Sequence, residues 1–99
     1  MLYTINYASI SSKNLEALMD LCPEGAPVLF YEDGVYACVK GTSRSGLIEH
    51  LTVTNPTYAL IEDMEARGIT SIVAGVEAVD YAGFVELVEN HNVVPWLRN

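Results

Sequence analysis

The chain has 99 residues, 51% of them hydrophobic, and this length predicts one domain, residues 1–99, with a single core and a small margin of stability. Its 13 acidic and 5 basic residues give a net charge of −8, which argues against direct nucleic-acid binding because Lys and Arg must neutralise the phosphates. No apolar run approaches the roughly 18 residues of a membrane span, and the N-terminus lacks a basic, leader-like segment, so we expect a cytoplasmic protein without a membrane partner.

The N-terminal segment predicts a strand followed by an amphipathic helix. Residues 1–5 are rich in Leu, Tyr, Thr and Ile, which is typical of a strand. Between Lys13 and Cys22 the apolar side chains recur at i, i+3, i+4 and i+7, the spacing of a helix packed on a sheet. Pro23 ends this helix, because the residue before a proline is pushed out of the helical conformation.

A buried strand at residues 27–31 leads into two carboxylates and a second helix. The strand is apolar without alternation, a pattern typical of a strand that is covered on both faces. Glu32 and Asp33 follow, and a helix is predicted over residues 34–39 with Asp33 as its N-cap. Because ligands gather beyond the carboxyl ends of parallel strands, these carboxylates mark a candidate functional edge.

The rest of the chain continues the alternation of strands and helices. Residues 40–55 are ambiguous: the GTSRSG sequence indicates a loop, but three apolar residues after it share one helical face. Strands are predicted at 57–60, within 72–79 and at 93–97. The first of these strands is followed by a helix that ends at Arg67 and Gly68. The second is followed by a helix that Asp80 caps, and the side chains that this helix is predicted to bury are Tyr81, Phe84, Val85, Leu87 and Val88. This order predicts an α/β fold, a single-domain three-layer α/β/α structure with a mainly parallel sheet of about five strands.

The two cysteines, Cys22 and Cys38, are too few for a disulfide scaffold and lack the spacing of a metal or redox pair. Cys22 falls in the last turn of its helix beside acidic neighbours, which raises a thiol pKa. Cys38 is predicted in the first turns of its helix, on an apolar stripe with no cation nearer than Lys40. We interpret both as small buried hydrophobic residues, so the residues themselves predict no catalytic nucleophile.

Other polar groups allow a site hypothesis and a structural one. The carboxylates that follow predicted strands are Glu32, Asp33, Glu62, Asp63 and Asp80. They could bind Mg²⁺, as in phosphoacceptor domains, or could simply cap helices. No lysine follows a strand end to complete a phosphoacceptor site. The GTSRSG loop lacks the Lys and Ser/Thr of a phosphate loop, and His50 and His91 have no ligand spacing. We therefore expect no metal and no cofactor.

The apolar C-terminus contains the chain's one tryptophan. Trp96 and Leu97 lie in a short apolar strand close to the chain end. Such a tryptophan either covers the core or anchors an interface, so both residues are interface candidates.

Four segments together resemble one family. MLYTIN at the start, EDGVYA after the second strand, YALIEDMEARG across the third strand and its helix, and VDYAGFVEL before the terminal Trp-Leu are similar to the DsrH/TusB family of sulfur-relay subunits. The resemblance runs from Met1 to Leu97. It implies a small α/β domain that joins DsrE/TusD-type and DsrF/TusC-type partners in a heterohexamer with two copies of each. Such complexes accept sulfur from carrier proteins and relay persulfide sulfur.

The resemblance also implies where the chemistry lies. In these complexes the main sulfur-carrying cysteine belongs to the DsrE/TusD-type partner, so this chain is expected to be an accessory subunit rather than an enzyme by itself. Some related chains have a cysteine on the first helix, which makes Cys22 a candidate persulfide carrier. The relay leads either to 2-thiouridine at the tRNA wobble position, which we favour, or to sulfur oxidation, and the sequence leaves that alternative open.

Overall fold

The computed structural model describes residues 1–96 and contains five strands, four α-helices and one 3₁₀ helix. The strands are β1 (Leu2–Ile5), β2 (Val28–Phe30), β3 (Thr57–Leu60), β4 (Glu77–Val79) and β5 (Val93–Pro95). The α-helices are α1 (Ser12–Leu21), α2 (Ser45–Thr54), α3 (Ile61–Ala66) and α4 (Tyr81–Asn90), and the 3₁₀ helix is Glu32–Cys38. None of the helices within residues 1–96 is long and apolar enough to cross a bilayer.

The strands form one fully parallel sheet in the order β4-β3-β2-β1-β5. The register places Tyr3 beside Val28 on one side and beside Val94 on the other, and it places Val28 beside Thr57. All three residues of β2 are fully buried, as a central strand covered on both faces requires. The predicted α/β class with about five mainly parallel strands is therefore confirmed.

The main core lies on one face of the sheet, which we call the α1 face. Tyr3, Ile5, Val28 and Phe30 point to this face, because residues two apart in a strand share a face. The core also includes buried residues from α1, the 3₁₀ helix, α2 and α3; among them are Leu15, Leu18, Val35, Cys38, Ile48, Leu51 and Met64. Of the two interpretations left open for residues 40–55, the helical one is correct for α2, whose buried side includes Ile48 and Leu51.

The opposite face of the sheet, the α4 face, is covered by α4 alone among the described elements. The chain crosses the sheet in one direction from β1 to β4 and must return past β1 to form β5, and right-handed crossovers place that return on the other face. No residue of α4 is buried, and Tyr81 and Val88 are 61% and 36% exposed. The prediction that α4 buries five apolar residues was wrong in degree: Phe84, Val85 and Leu87 are only half-buried, because a helix alone on its face has no neighbouring helix to cover its flanks.

The stretch after β2 also differs from the prediction. Residues 32–38 form a 3₁₀ helix rather than an α-helix, Asp33 does not cap it, and Cys38 is its last residue rather than part of its first turns. The N-cap position is Tyr31, which makes no side-chain capping bond. Asp33 instead pairs with Arg67 at the end of α3. Its carboxylate therefore binds a guanidinium group rather than the free backbone amides at the start of the 3₁₀ helix.

Gly34 has a steric role that its sequence context does not reveal. A Cβ atom at this position would overlap the backbone carbonyl oxygen of Ile5, and backbone cannot move aside as the end of a side chain can. The amide of Tyr31 donates to the same carbonyl, with a distance of 3.0 Å between the two atoms. The 3₁₀ helix can therefore lie over the end of β1 only with glycine at position 34.

We expect Gly34→Ala to destabilise the protein by about 3 kcal/mol or more, because overlap with backbone must be relieved by moving the 3₁₀ helix. Urea unfolding monitored by tryptophan fluorescence measures the change. The matched control is Gly46→Ala in α2, where a Cβ meets no atom and where alanine favours the helix by up to about 1 kcal/mol. Equal stabilities for the two variants would contradict this account.

Candidate functional site

The carboxylates of Glu32, Asp33 and Asp63, beyond β2 and β3, accept hydrogen bonds from backbone and side-chain donors of neighbouring segments. Arg67 donates to Asp33 Oδ1 from Nε at 2.9 Å, and its Nη1 lies 3.6 Å from Asp63 Oδ1. Asp63 also accepts from the backbone amide of Glu32, whose side chain accepts from Asn6 Nδ2 at 3.2 Å. The hydrogen bond with Asp33 raises the pKa of Arg67. This cluster therefore fastens the end of β2 to α3.

The two remaining edge carboxylates bind the start of α4. Asp80 Oδ1 accepts from the amide of Gly83 at 2.9 Å, which confirms its predicted N-cap role. Glu62 Oε2 accepts from the amide of Tyr81 at 3.1 Å. Within residues 1–96, no group of three or more His, Cys, Asp or Glu side chains is arranged to hold a metal ion. The contacts therefore favour the structural interpretation of these carboxylates over the Mg²⁺ hypothesis.

Cys38 is enclosed in the main core. Its residue is 0% exposed, and burial raises the pKa of its thiol to about 12. Its backbone carbonyl accepts from the amide of Val73 at 2.8 Å, so the main chain is held as firmly as the side chain. A thiol with this pKa is almost entirely protonated near neutral pH, and the protonated form is a poor nucleophile.

Cys22 lies at the other end of the sheet from the carboxylates, where α1 ends. It is 7% exposed, and burial is the main cause that raises the pKa of its thiol. The side-chain amide of Asn55 points Nδ2 at its sulfur over 3.4 Å. Cys22 is thus the more accessible of the two thiols and the one with a polar donor beside it, but it too is held as a neutral group.

Asn55 is a residue whose importance the sequence pattern did not reveal. It is buried at 4% exposure, and its Nδ2 donates to the carbonyls of Pro23 and Ala26, each at 2.8 Å. It therefore closes the loop between α1 and β2 onto the start of β3. The available signal was an Asn-Pro pair immediately before a strand, since such pairs favour turns.

Arg44 shows what the GTSRSG loop does. Its guanidinium Nη1 donates to the carbonyls of Ala8 and Ile10, at 2.7 and 3.3 Å. Inside the loop, the hydroxyl of Ser45 accepts from the amide of Thr42 at 3.0 Å. The loop thus fastens the start of α2 to the segment after β1, which is a structural role.

Trp96 lies against the main core and is only partly exposed. Its indole Nε1 donates to Asn14 Oδ1 on α1 at 3.0 Å, and its amide donates to Thr4 O at 2.8 Å. Asn14 in turn donates to the hydroxyl of Tyr7 at 3.0 Å. These contacts are those of a lid on the core. A further role of Trp96 as an interface anchor stays a prediction, and Leu97 lies outside the described residues.

The comparison with known families gives one match that spans most of the chain. The model of the family described as "DsrH like protein" matches residues 8–94. The chain belongs to the DsrH family. The relatives of this DsrH-family chain include "Protein TusB" of Serratia proteamaculans (strain 568), 36% identical over 92 residues that cover 92% of this chain and 94% of that protein. "Protein TusB" of Photorhabdus laumondii is 33% identical and covers 97% and 100% of the two chains.

Solved structures share the fold of this DsrH-family chain at low sequence identity. The protein of unknown function MTH1491 from Methanobacterium thermoautotrophicum superposes with a TM-score of 0.73 and 18% identity, and the match covers 95% of this chain and 96% of that chain. The ychN protein from E. coli gives a TM-score of 0.73 with 14% identity, covering 95% and 97%. These likenesses support the fold alone.

Both thiols of the DsrH-family chain should react slowly in the native state. At pH 8 we expect Ellman's reagent to modify the native chain at least about 100-fold more slowly than the chain unfolded in guanidinium chloride, because only the thiolate reacts. Cys22 should react before Cys38, and both rates should rise with pH. Peptide mapping of partly modified protein assigns the order. Native Cys22 reacting as fast as an unfolded thiol would overturn the burial argument.

Replacing Asn55 with alanine should destabilise the fold by about 2 kcal/mol, because two carbonyls lose their shared donor. Equilibrium urea unfolding measures the loss. Asn92→Ala is the matched control: its side chain is exposed and we expect a change within about 0.5 kcal/mol. If the two substitutions cost the same, the Asn55 contacts do not stabilise the loop.

Proposed function

We propose that this chain is a non-catalytic, accessory subunit of a sulfurtransferase complex that relays persulfide sulfur, with 2-thiouridine at the tRNA wobble position as the product. Membership of the DsrH family and 33–36% identity to proteins named TusB support a subunit role in sulfur relay. The observation that carries the accessory role is that both thiols are buried and have raised pKa values.

Persulfide relay requires a nucleophilic thiolate. The accepting thiolate attacks the outer sulfur of the donor persulfide, the S–S bond breaks, and the donor leaves as a thiolate. The receiving site therefore needs an accessible thiol with a low pKa, stabilised by a cation or a helix N-terminus. Cys38 sits at a 3₁₀ helix C-terminus in the core, and Cys22 follows the C-terminus of α1. Neither position supplies that stabilisation, so the transferred sulfur is bound by another chain.

The resemblance implies DsrE/TusD-type and DsrF/TusC-type partners in a heterohexamer with two copies of each, and we propose the same assembly here. Sulfur carrier proteins then act on the complex rather than on this chain. The net charge of −8 supports a role without direct contact to tRNA. The exposure of Tyr81, Val88 and Val93 supports a subunit that buries further surface in a complex.

A second candidate function is persulfide transfer through Cys22. The contact between Asn55 Nδ2 and the Cys22 sulfur favours it, because an amide hydrogen that this sulfur shares with the carbonyls of Pro23 and Ala26 would stabilise negative charge on the sulfur. In that case the subunit would carry sulfur transiently rather than only support the complex. Incubation with a cysteine desulfurase, its carrier and the partner chains should then add one sulfur atom to Cys22, detected by mass spectrometry.

We expect the double variant Cys22→Ser, Cys38→Ala to retain sulfur relay, because neither thiol takes part. The variant replaces the native gene in a strain that depends on it, and 2-thiouridine is measured in digested tRNA by mass spectrometry. Size-exclusion chromatography of the co-expressed partner chains verifies that the complex still assembles. An assembled complex that no longer thiolates tRNA would contradict the accessory role, and restoration by Cys38→Ala alone would assign the sulfur to Cys22.

A further inference from the structure

A groove of about 390 Å³ lies between α4 and the β3–β4 side of the sheet. Tyr58 and Glu77 are partners in the register, and Val79 is two residues from Glu77, so all three lie on the α4 face. Leu87 and Glu86 line the groove from the helix. The apolar and aromatic residues are half-buried and the two glutamates are exposed, which gives an apolar floor with an acidic rim.

The groove belongs to a part of the chain without Lys or Arg, although His91 also lines it, with its ring Nδ1 2.9 Å from the carbonyl oxygen of Leu87. Residues 69–96 contain no Lys or Arg, and their four carboxylates are Glu77, Asp80, Glu86 and Glu89. Within residues 1–96 no Lys or Arg lies within ion-pair distance of Glu77 or Glu86, because the ion pairs described involve Arg67 alone. Two carboxylates on one rim without a cation attract a positively charged partner group.

A second copy of this chain is a poor occupant of the groove. Each copy has a net charge of −8, and Arg44 and Arg67 are already bound to carbonyls and carboxylates of their own chain. Within residues 1–96 this leaves Lys13 and Lys40 as the remaining cations. Nucleic acid is excluded by the same charge, since it carries phosphates.

We propose that the groove is a docking site for an extended segment of a partner protein that places a Lys or Arg side chain between Glu77 and Glu86, with an apolar neighbour against Tyr58 and Leu87. The groove reaches the edge strand β4, and no strand within residues 1–96 pairs with the outer side of β4, so an extended segment can enter the groove from that edge. The inference rests on the proposed subunit role, which requires a partner chain, and it assigns that contact to the α4 face.

The experiment is a titration of the ¹⁵N-labelled full chain, at low ionic strength, with an acetylated and amidated pentapeptide in which two lysines alternate with three valines. We expect saturable amide shifts confined to residues around the groove. The double variant Glu77→Gln, Glu86→Gln should weaken binding about fivefold or more, because it removes both partner charges. Added salt should weaken binding to the native chain more than to the variant.

The matched control is Glu16→Gln, Glu49→Gln, which removes the same charge from exposed positions on α1 and α2. We expect it to bind the peptide as the native chain does. Equal weakening by both double variants would show general attraction to an acidic protein and overturn the docking site. Spermidine binding the groove as tightly as the peptide would overturn it in favour of a small-cation site. The readout involves no sulfur, so its failure leaves the proposed relay role standing.

Discussion

The contact of Gly34 with the Ile5 carbonyl determines how the chain leaves β2, and the carboxyl edge of the sheet depends on it. That carbonyl already accepts from the Tyr31 amide, so the strand end and the 3₁₀ helix are both positioned against one atom. Glu32 adopts a positive φ of 49°, a conformation that L residues rarely take. The backbone amide of Glu32 donates a hydrogen bond to the Asp63 carboxylate, which holds the turn in that conformation. The backbone strain at Glu32 is thus offset by a hydrogen bond to Asp63 in α3, the helix that follows β3.

These contacts indicate a structural role for the carboxylates at the carboxyl edge of the sheet. In parallel α/β proteins this edge is the common place for ligands, and polar side chains there suggest a site. Here the side chains make structural contacts: Asp63 and Glu62 accept from backbone amides, and Asp33 pairs with the Arg67 side chain. Both thiols lie away from solvent at the same time. The described contacts of this edge are therefore structural, and they join the ends of β2 and β3 to the helices that follow.

The sequence was sufficient for the strands, because their apolar runs and the Pro and Gly residues between them are local signals. It also identified Asp80 as a cap, since that bond joins residues three apart. The sequence did not predict side-chain contacts whose two partners are far apart along the chain. Asp33 was taken by Arg67, 34 residues away, and Asn55 closes a loop more than 25 residues before it. The exposure of α4 was missed because helical periodicity shows which side is apolar but not whether anything covers it.

The asymmetry of the two layers follows from the strand order. Adjacent strands are about 4.8 Å apart, so a five-stranded sheet is about 19 Å wide between its outer strands, whereas one helix is about 10 Å across. A single helix on the α4 face can cover β1 and β2, where Leu2 and Leu29 are fully buried, but it cannot cover both edges. β4 and β5 are accordingly the strands whose residues stay exposed or half-buried. Because β5 pairs with β1, the chain must cross back over the sheet, and the incompletely covered α4 face is a consequence of this strand order, whereas its acidic rim comes from Glu77 and Glu86.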